Sequence, residues 1–308
     1  MAYPDAPRLD VVDHLHGREV ADPYRWLEEP SSPGTEAWSA AQDTLTRAHL
    51  DALPGRDGVR DRLHQLHATG SVTAPAHRGE RAFFTRRRPD QEHAVLLVRE
   101  ADGSERVLLD PSALNDDDTV TLDGFAPSLE GDRLAYLLSE GGDEESSLLV
   151  IDVGTGKVLD GPIDRTRYGD MAWLPGGEEL FYVRRLPPAD LPAGDEQFHR
   201  RVYRHRVGAD PDGDGMVFGA GRDKTEYHSL HASRDGRWLV VGASKGTAPR
   251  NDVYLLDVPA GAWCTVQEDV DVWTDAAVRH DGRLYLLTNA GAPRRRLAVA
   301  DPEAPGGT

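Results

Sequence analysis

Two patterns of apolar positions run along this chain, and they meet near residue 70. In the first part, Trp38, Ala41, Leu45 and Ala48 recur at helical spacing through a segment free of glycine and proline. Ser31-Ser32-Pro33 ahead of them supplies cap chemistry and a proline suited to a first helical turn. A helix is therefore predicted from there to Pro54-Gly55, and Val59, Leu63 and Leu66 predict a second, shorter one. From about Ser71 onward the pattern changes to short strands separated by Gly, Asp and Pro.

The second part repeats itself. A small-polar turn followed by an apolar strand occurs at Gly79–Phe84, Gly131–Tyr136, Gly177–Tyr182, Asp235–Val240 and Asp281–Leu286. Most copies are followed by another apolar strand, such as Leu148–Asp152 or Val253–Asp257. The turn glycines at 79, 131, 177, 236 and 282 fall roughly 45 to 60 residues apart. A strand-only repeat of that length is the mark of propeller blades, each a four-stranded antiparallel sheet. A β-sandwich has no reason to repeat a turn-strand unit at that interval. The expected fold is mostly β: a helical segment over residues 1–70, then a β-propeller of about five blades over residues 71–308.

Composition narrows the function classes. Apolar residues make up 39% of the chain, enough to build a core. Acidic residues outnumber basic ones 53 to 35, for a formal charge of −18, which points away from a nucleic-acid partner. The runs Arg86-Arg87-Arg88 and Arg294-Arg295-Arg296 sit beside turn residues and read as solvated strand ends. No secretory pattern opens the sequence, no apolar stretch approaches the ~20 residues of a membrane helix, and the single Cys264 cannot form an internal disulfide. A cytoplasmic protein with no membrane partner is expected.

One block is specific enough to suggest a family. Ala21-Asp22-Pro23-Tyr24-Arg25-Trp26-Leu27-Glu28, preceded by Tyr3-Pro4, Arg8, Asp10, Asp13 and His16-Gly17 and followed by Glu36, Trp38, Ala41-Gln42 and Thr46, resembles the start of the prolyl oligopeptidase family of serine peptidases. The likeness continues through Arg106–Pro111 and Met171–Pro175. It implies a seven-bladed propeller joined to an α/β-hydrolase domain with a Ser, Asp, His triad, cleaving short peptides after proline. In that arrangement the propeller filters substrates by size, and no cofactor or metal is required. Measured against that pattern, the sequence stops about two blades early with no hydrolase domain behind it. The expectation is a chain with no catalytic residues of its own, inactive unless an α/β-hydrolase domain is supplied in the same chain or in trans, with short proline-containing peptides as substrates. The alternative is a free-standing propeller that serves as a binding module.

The resemblance implies one site residue: Tyr168, three residues ahead of Met171, stands where the family has an aromatic side chain lining the substrate pocket. A tyrosine at a blade edge is the competing reading. The family often carries a substrate-contacting arginine near position 244, where this chain has Ser244. The resemblance also implies that Tyr24, Trp26, Leu27, Trp38 and Leu45 pack on the hydrolase domain. Without it they, and the open blade edges, favour association.

Other motifs yield to simpler readings. Gly242-Ala243-Ser244-Lys245-Gly246, with Asp257 and His280 after it, matches a hydrolase nucleophile elbow in order, but a proline and a strand pattern follow where a helix is needed. Asp210–Gly215 resembles the opening of a calcium loop, yet its twelfth position is Gly221, so an acidic surface loop is expected. His64 with His67, and His228 with His231, have metal-like spacing without further ligands and read as solvated or core-edge histidines.

Overall fold

The computed structural model describes residues 3–305, which form two compact units divided after Thr69. The last three residues, 306–308, lie outside the described residues.

In the first unit a small hairpin, β1 (Val12–Leu15) with β2 (Arg18–Ala21), precedes two helices, α1 (Pro33–Asp51) and α2 (Arg56–His67). Helix α1 begins as its sequence dictates. The Ser32 hydroxyl accepts from the Thr35 amide at 3.2 Å, and Pro33 occupies the first turn, where its missing N–H costs nothing. Thr35 in turn donates to the Trp26 carbonyl at 2.9 Å, which ties the Asp-Pro-Tyr-Arg-Trp segment to the helix. Trp26 and Trp38 meet edge to face at 6.2 Å, and the Trp26 indole donates to Pro7 O at 2.9 Å. The aromatic residues expected to lie bare are thus partly covered: Trp26, Leu27, Trp38 and Leu45 are half-buried, and only Tyr24 of that group is exposed. Bare apolar side chains of this unit include Leu9, Val12, Leu15 and Val20 around the hairpin and Leu50, Leu53, Val59, Leu63 and Leu66 along the helices and the turn between them. Among the described residues no helix is long and apolar enough to cross a membrane.

The second unit is a five-bladed β-propeller. The first blade holds β3 (Ser71–Val72), β4 (Ala76–Arg78), β5 (Arg81–Arg87), β6 (Val95–Arg99) and β7 (Glu105–Leu109). The second holds β8 (Val120–Pro127), β9 (Arg133–Glu140), β10 (Ser147–Asp152) and β11 (Val158–Ile163). The third holds β12 (Met171–Trp173), β13 (Glu179–Arg185), β14 (Arg200–Arg206) and β15 (Gly215–Phe218). The fourth holds β16 (Glu226–Ala232), β17 (Trp238–Lys245), β18 (Asp252–Asp257) and β19 (Ala262–Gln267). The fifth has three strands, β20 (Thr274–Val278), β21 (Leu284–Thr288) and β22 (Arg296–Ala300). All pairings are antiparallel, and the first strands of blades two to five neighbour one another around the axis.

Each repeated turn found in the sequence joins the first strand of a blade to its second, except in the first blade, where it joins β4 to β5. Glycine is needed there for more than a tight turn. A Cβ on Gly79 would lie 2.6 Å from the Glu130 carbonyl oxygen, and one on Gly131 would lie 2.7 Å from that of Arg78. Both glycines also have positive φ, so the turns of blades one and two press backbone against backbone in a way a side chain would forbid.

The apolar runs are continuous, rather than alternating, because both faces of each middle strand are buried. In β13, Leu180 and Tyr182 join the cluster shared with the second blade, while Phe181 and Val183 join the cluster shared with the fourth. In β17, Leu239 and Val241 face the third blade, and Trp238 and Val240 face the fifth. Period-two geometry thus sends successive side chains to different neighbours.

Candidate functional site

The third blade carries an unusual concentration of charge at one end. Strands β13 and β14 finish and begin with arginine pairs in register, Arg184 opposite Arg201 and Arg185 opposite Arg200, and all four are buried. Burying a guanidinium demands acceptors, and the adjoining loops supply them. Arg184 reaches Asp164 and donates to Asp212 at 3.0 Å and to Pro211 O at 3.1 Å. Arg185 pairs with Glu145 and donates to Gln197 Oε1 at 2.9 Å and Glu196 O at 2.8 Å. Arg200 has carbonyl acceptors instead, at Gln197 O (3.1 Å) and Arg167 O (3.4 Å).

Tyr168 stands on this platform, in the loop between β11 and β12. Its φ of +52° lies in the left-handed region, rare for a bulky residue, and turns the ring outward so that half of the residue is exposed. Four neighbours hold the ring. The Arg167 guanidinium lies 4.9 Å from its centroid and that of Arg200 6.0 Å, while Tyr227 packs beside it at 6.0 Å. The phenol donates to the Glu144 carboxylate, which Arg167 also engages at 2.6 Å. These bonds, from Tyr168 first and Arg167 next, hold the Glu144 carboxyl below the usual carboxylate range. Arg200 also lies 4.2 Å from the Tyr227 centroid. The cluster offers the exposed part of the Tyr168 ring, with the Arg167 guanidinium beside it. Such groups bind apolar rings and carbonyl or carboxylate oxygens; none of them is a nucleophile. The paired arginines were not singled out in the sequence, although doubled arginines on both sides of the 186–199 loop are a usable signal.

Ser244 sits inside β17 opposite Tyr227 of β16, not on a turn into a helix. Asp257 lies opposite Trp238, at the other end of β17 and about 20 Å away along the strand. Its carboxylate accepts from the Ala260 amide at 3.2 Å, so the Ser, Asp, His order marks no triad.

The acidic loop at Asp210–Gly215 is not wholly a surface loop. Asp210 caps a single helical turn, but Asp214 points into the blade. There it accepts from the Tyr182 phenol at 2.7 Å and contacts His205 Nδ1 at 2.9 Å, while His205 Nε2 reaches Asp160 Oδ2 at 2.8 Å. His205 is fully buried and spans the second and third blades. No group of three or more His, Cys, Asp or Glu side chains suited to a metal occurs among the described residues.

His228 and His231 both lie on β16, where a spacing of three puts them on opposite faces. His228 is buried against Phe218, with Nε2 3.1 Å from Arg200 O, so the expectation of a solvated or core-edge residue fails for it. Burial, ahead of every other cause, pushes its pKa down from 6.5 to about 4. The unfolded chain therefore takes up a proton that the folded one refuses. Stability should be intact above about pH 6.5 and fall by on the order of 3 kcal/mol as pH drops to about 4. Urea melts at several pH values check this. His228→Gln keeps a donor for Arg200 O and removes the titration, so its stability should fall less steeply over the same interval. An equal slope in both proteins would show that His228 is not responsible.

Residues 4–307 match the family model described as prolyl oligopeptidase, N-terminal beta-propeller domain. A prolyl endopeptidase of Elizabethkingia meningoseptica is 28% identical over 99% of this chain and 44% of its own length. A solved structure from a study of two prolyl endopeptidases superposes with a TM-score of 0.85 at 32% identity, over 99% of this chain and 45% of that one. Prolyl oligopeptidase B from Galerina marginata, bound to a 35-residue hydrolysis and macrocyclization substrate, shares the fold with a TM-score of 0.77 at 20% identity. The chain spans a little under half the length of the relatives it matches.

Proposed function

The chain belongs to the prolyl oligopeptidase family, its residues 4–307 matching the N-terminal β-propeller domain, and from that premise we propose that it gates substrates for a serine peptidase cleaving short peptides after proline. The observation that carries this reading is the match over residues 4–307, joined to a surface whose outward groups bind rather than break bonds. The bond-breaking groups belong to an α/β-hydrolase part, where a serine attacks the carbonyl after proline, a histidine moves protons and an aspartate orients it. The propeller's role is to admit a flexible peptide and exclude a folded protein.

Within that reading, Tyr168 lines the substrate pocket. The exposed part of its ring packs on a proline ring, and Arg167 and Arg200 hold the tyrosine in place from within the platform. Cleavage of a Gly-Pro nitroanilide, measured for residues 1–308 alone and for the complete product of the gene, tests both statements. Residues 1–308 alone should be inactive, and the complete product should cleave the short substrate but not folded proteins. Cleavage by residues 1–308, or by neither protein, overturns the reading. In an active product, Tyr168→Ala should raise KM about tenfold with kcat nearly unchanged, and Tyr168→Phe should stay near the parent. An unchanged KM in Tyr168→Ala would remove Tyr168 from the pocket and leave the gating role untouched.

A further inference from the structure

We propose that the propeller carries an anion-binding site at the channel mouth away from Tyr168, fitted to a small polyanion with two or more phosphoryl groups. The blades repeat one strand order, so their first strands run in the same direction along the axis. Tyr168 precedes a first strand, β12, whereas Arg78 ends β4, Arg234 follows β16 and Arg279 follows β20. These arginines therefore gather at the opposite mouth, around a cavity of about 400 Å³. His77, His231 and His280 line it as well, and no carboxylate does.

This arrangement runs against the character of the molecule. The chain has a formal charge of −18, and most arginines of the propeller are neutralised by a carboxylate at close range. Arg234 and Arg279 have no ion-pair partner among the described residues. The acidic groups that stand nearby in sequence are engaged elsewhere: Asp235 with Ser233, Asp281 with Tyr285, and Glu130 with the Gly176 amide. Arg78 is half-buried; it donates to the His77 carbonyl at 2.8 Å, but its Nε is buried with no acceptor. The Nδ1 atom of His231 is likewise buried without a partner. Burial, with Arg234 nearby as the second cause, pulls the Arg78 pKa below its ordinary value, and burial does the same to His231.

Like charges converging on one cavity repel each other, and a bound anion relieves that repulsion. A guanidinium is a planar fork that matches two oxygens of a phosphoryl group. Three such forks arriving from three different blades suit a ligand with several phosphoryl groups better than a single carboxylate. The cavity is also large enough for more than one such group.

The test is calorimetric titration of residues 1–308 with inorganic tripolyphosphate. One ion per chain should bind, with a Kd in the range of about 1–100 µM, weakening as salt rises from about 50 to 200 mM. The double variant R234Q/R279Q, altered at two exposed positions, should melt like the parent without ligand and bind at least about tenfold more weakly. R204Q, on the outer part of the third blade, should bind as the parent does. No heat at about 1 mM tripolyphosphate, a stoichiometry well above one, or equal affinity in R234Q/R279Q would each overturn the proposal. Tighter binding of a short oligoglutamate peptide than of tripolyphosphate would overturn the phosphoryl assignment.

Discussion

His205→Ala should destabilise the propeller by about 3–5 kcal/mol, the range measured when one partner of a buried charged set is removed. The imidazole is wholly buried and both of its nitrogens face carboxylates, Asp160 at 2.8 Å and Asp214 at 2.9 Å. Those carboxylates are almost equally hidden, with side chains 9% and 5% exposed. Alanine leaves two buried acids without that bridge. Asp160 retains the Gly208 amide and Asp214 retains the Tyr182 phenol, which limits the loss but does not prevent it. Burial and the bond to Asp214 push the Tyr182 phenol above its usual range, so it remains a donor throughout the working pH interval. A urea melt reads the outcome as a lower midpoint with little change in slope. A loss under about 1 kcal/mol would mean that water replaces the ring and that the clasp has no structural weight.

Trp173→Ala should cost a similar amount, about 3–5 kcal/mol, for a different reason. The indole fills the cluster between blades two and three, beside Leu137, Ile163 and Tyr182. It also donates to Ala126 O, on the first strand of the second blade, at 2.8 Å. Removing it leaves a cavity and takes away the indole hydrogen bond at the same joint. Because the joint belongs to both blades, hydrogen exchange should accelerate in β8–β11 as well as in β12–β15. Trp173→Phe separates the two contributions: it keeps most of the packing and should lose only about 1 kcal/mol with the N–H bond. Exchange confined to the third blade would show that the blades open independently, against the shared-core geometry.

The fold was legible because its strongest signals are local. Five turn-strand units appear in the sequence, and all five fall at a hairpin turn within a blade: β4 to β5 in the first blade, first to second strand in the other four. The helix at Pro33–Asp51 was legible for the same reason, since Ser32 and Pro33 act on their own first turn. The charged interior was not legible. Asp160, His205 and Asp214 meet across two blades, and nothing along the chain indicates that residues 45 apart are in contact. The prior that arginine lies at the surface hid Arg184, Arg185, Arg200 and Arg201, whose partners come from loops the sequence leaves unplaced. What histidine spacing means depends on the element that carries it: three residues apart means one face on a helix and two faces on a strand. Tyr168 could be named from a resemblance, but the left-handed backbone that turns its ring outward could be seen only in the structure.

Strands that give alternate side chains to two neighbours have a consequence for how such a ring can change over generations. No blade owns its core. Leu180 answers to the blade before it and Phe181 to the blade after, so each apolar residue is fitted to a surface encoded about one repeat away. A recombination event that copies or removes a single blade brings together two faces that were never fitted to each other. It succeeds only where those faces already resemble one another closely. Substitutions are bound by the same rule: a larger residue at Val241 calls for a smaller one among its cluster partners, in the third blade as well as in its own. Blades of one ring should therefore drift apart in sequence while facing surfaces drift together.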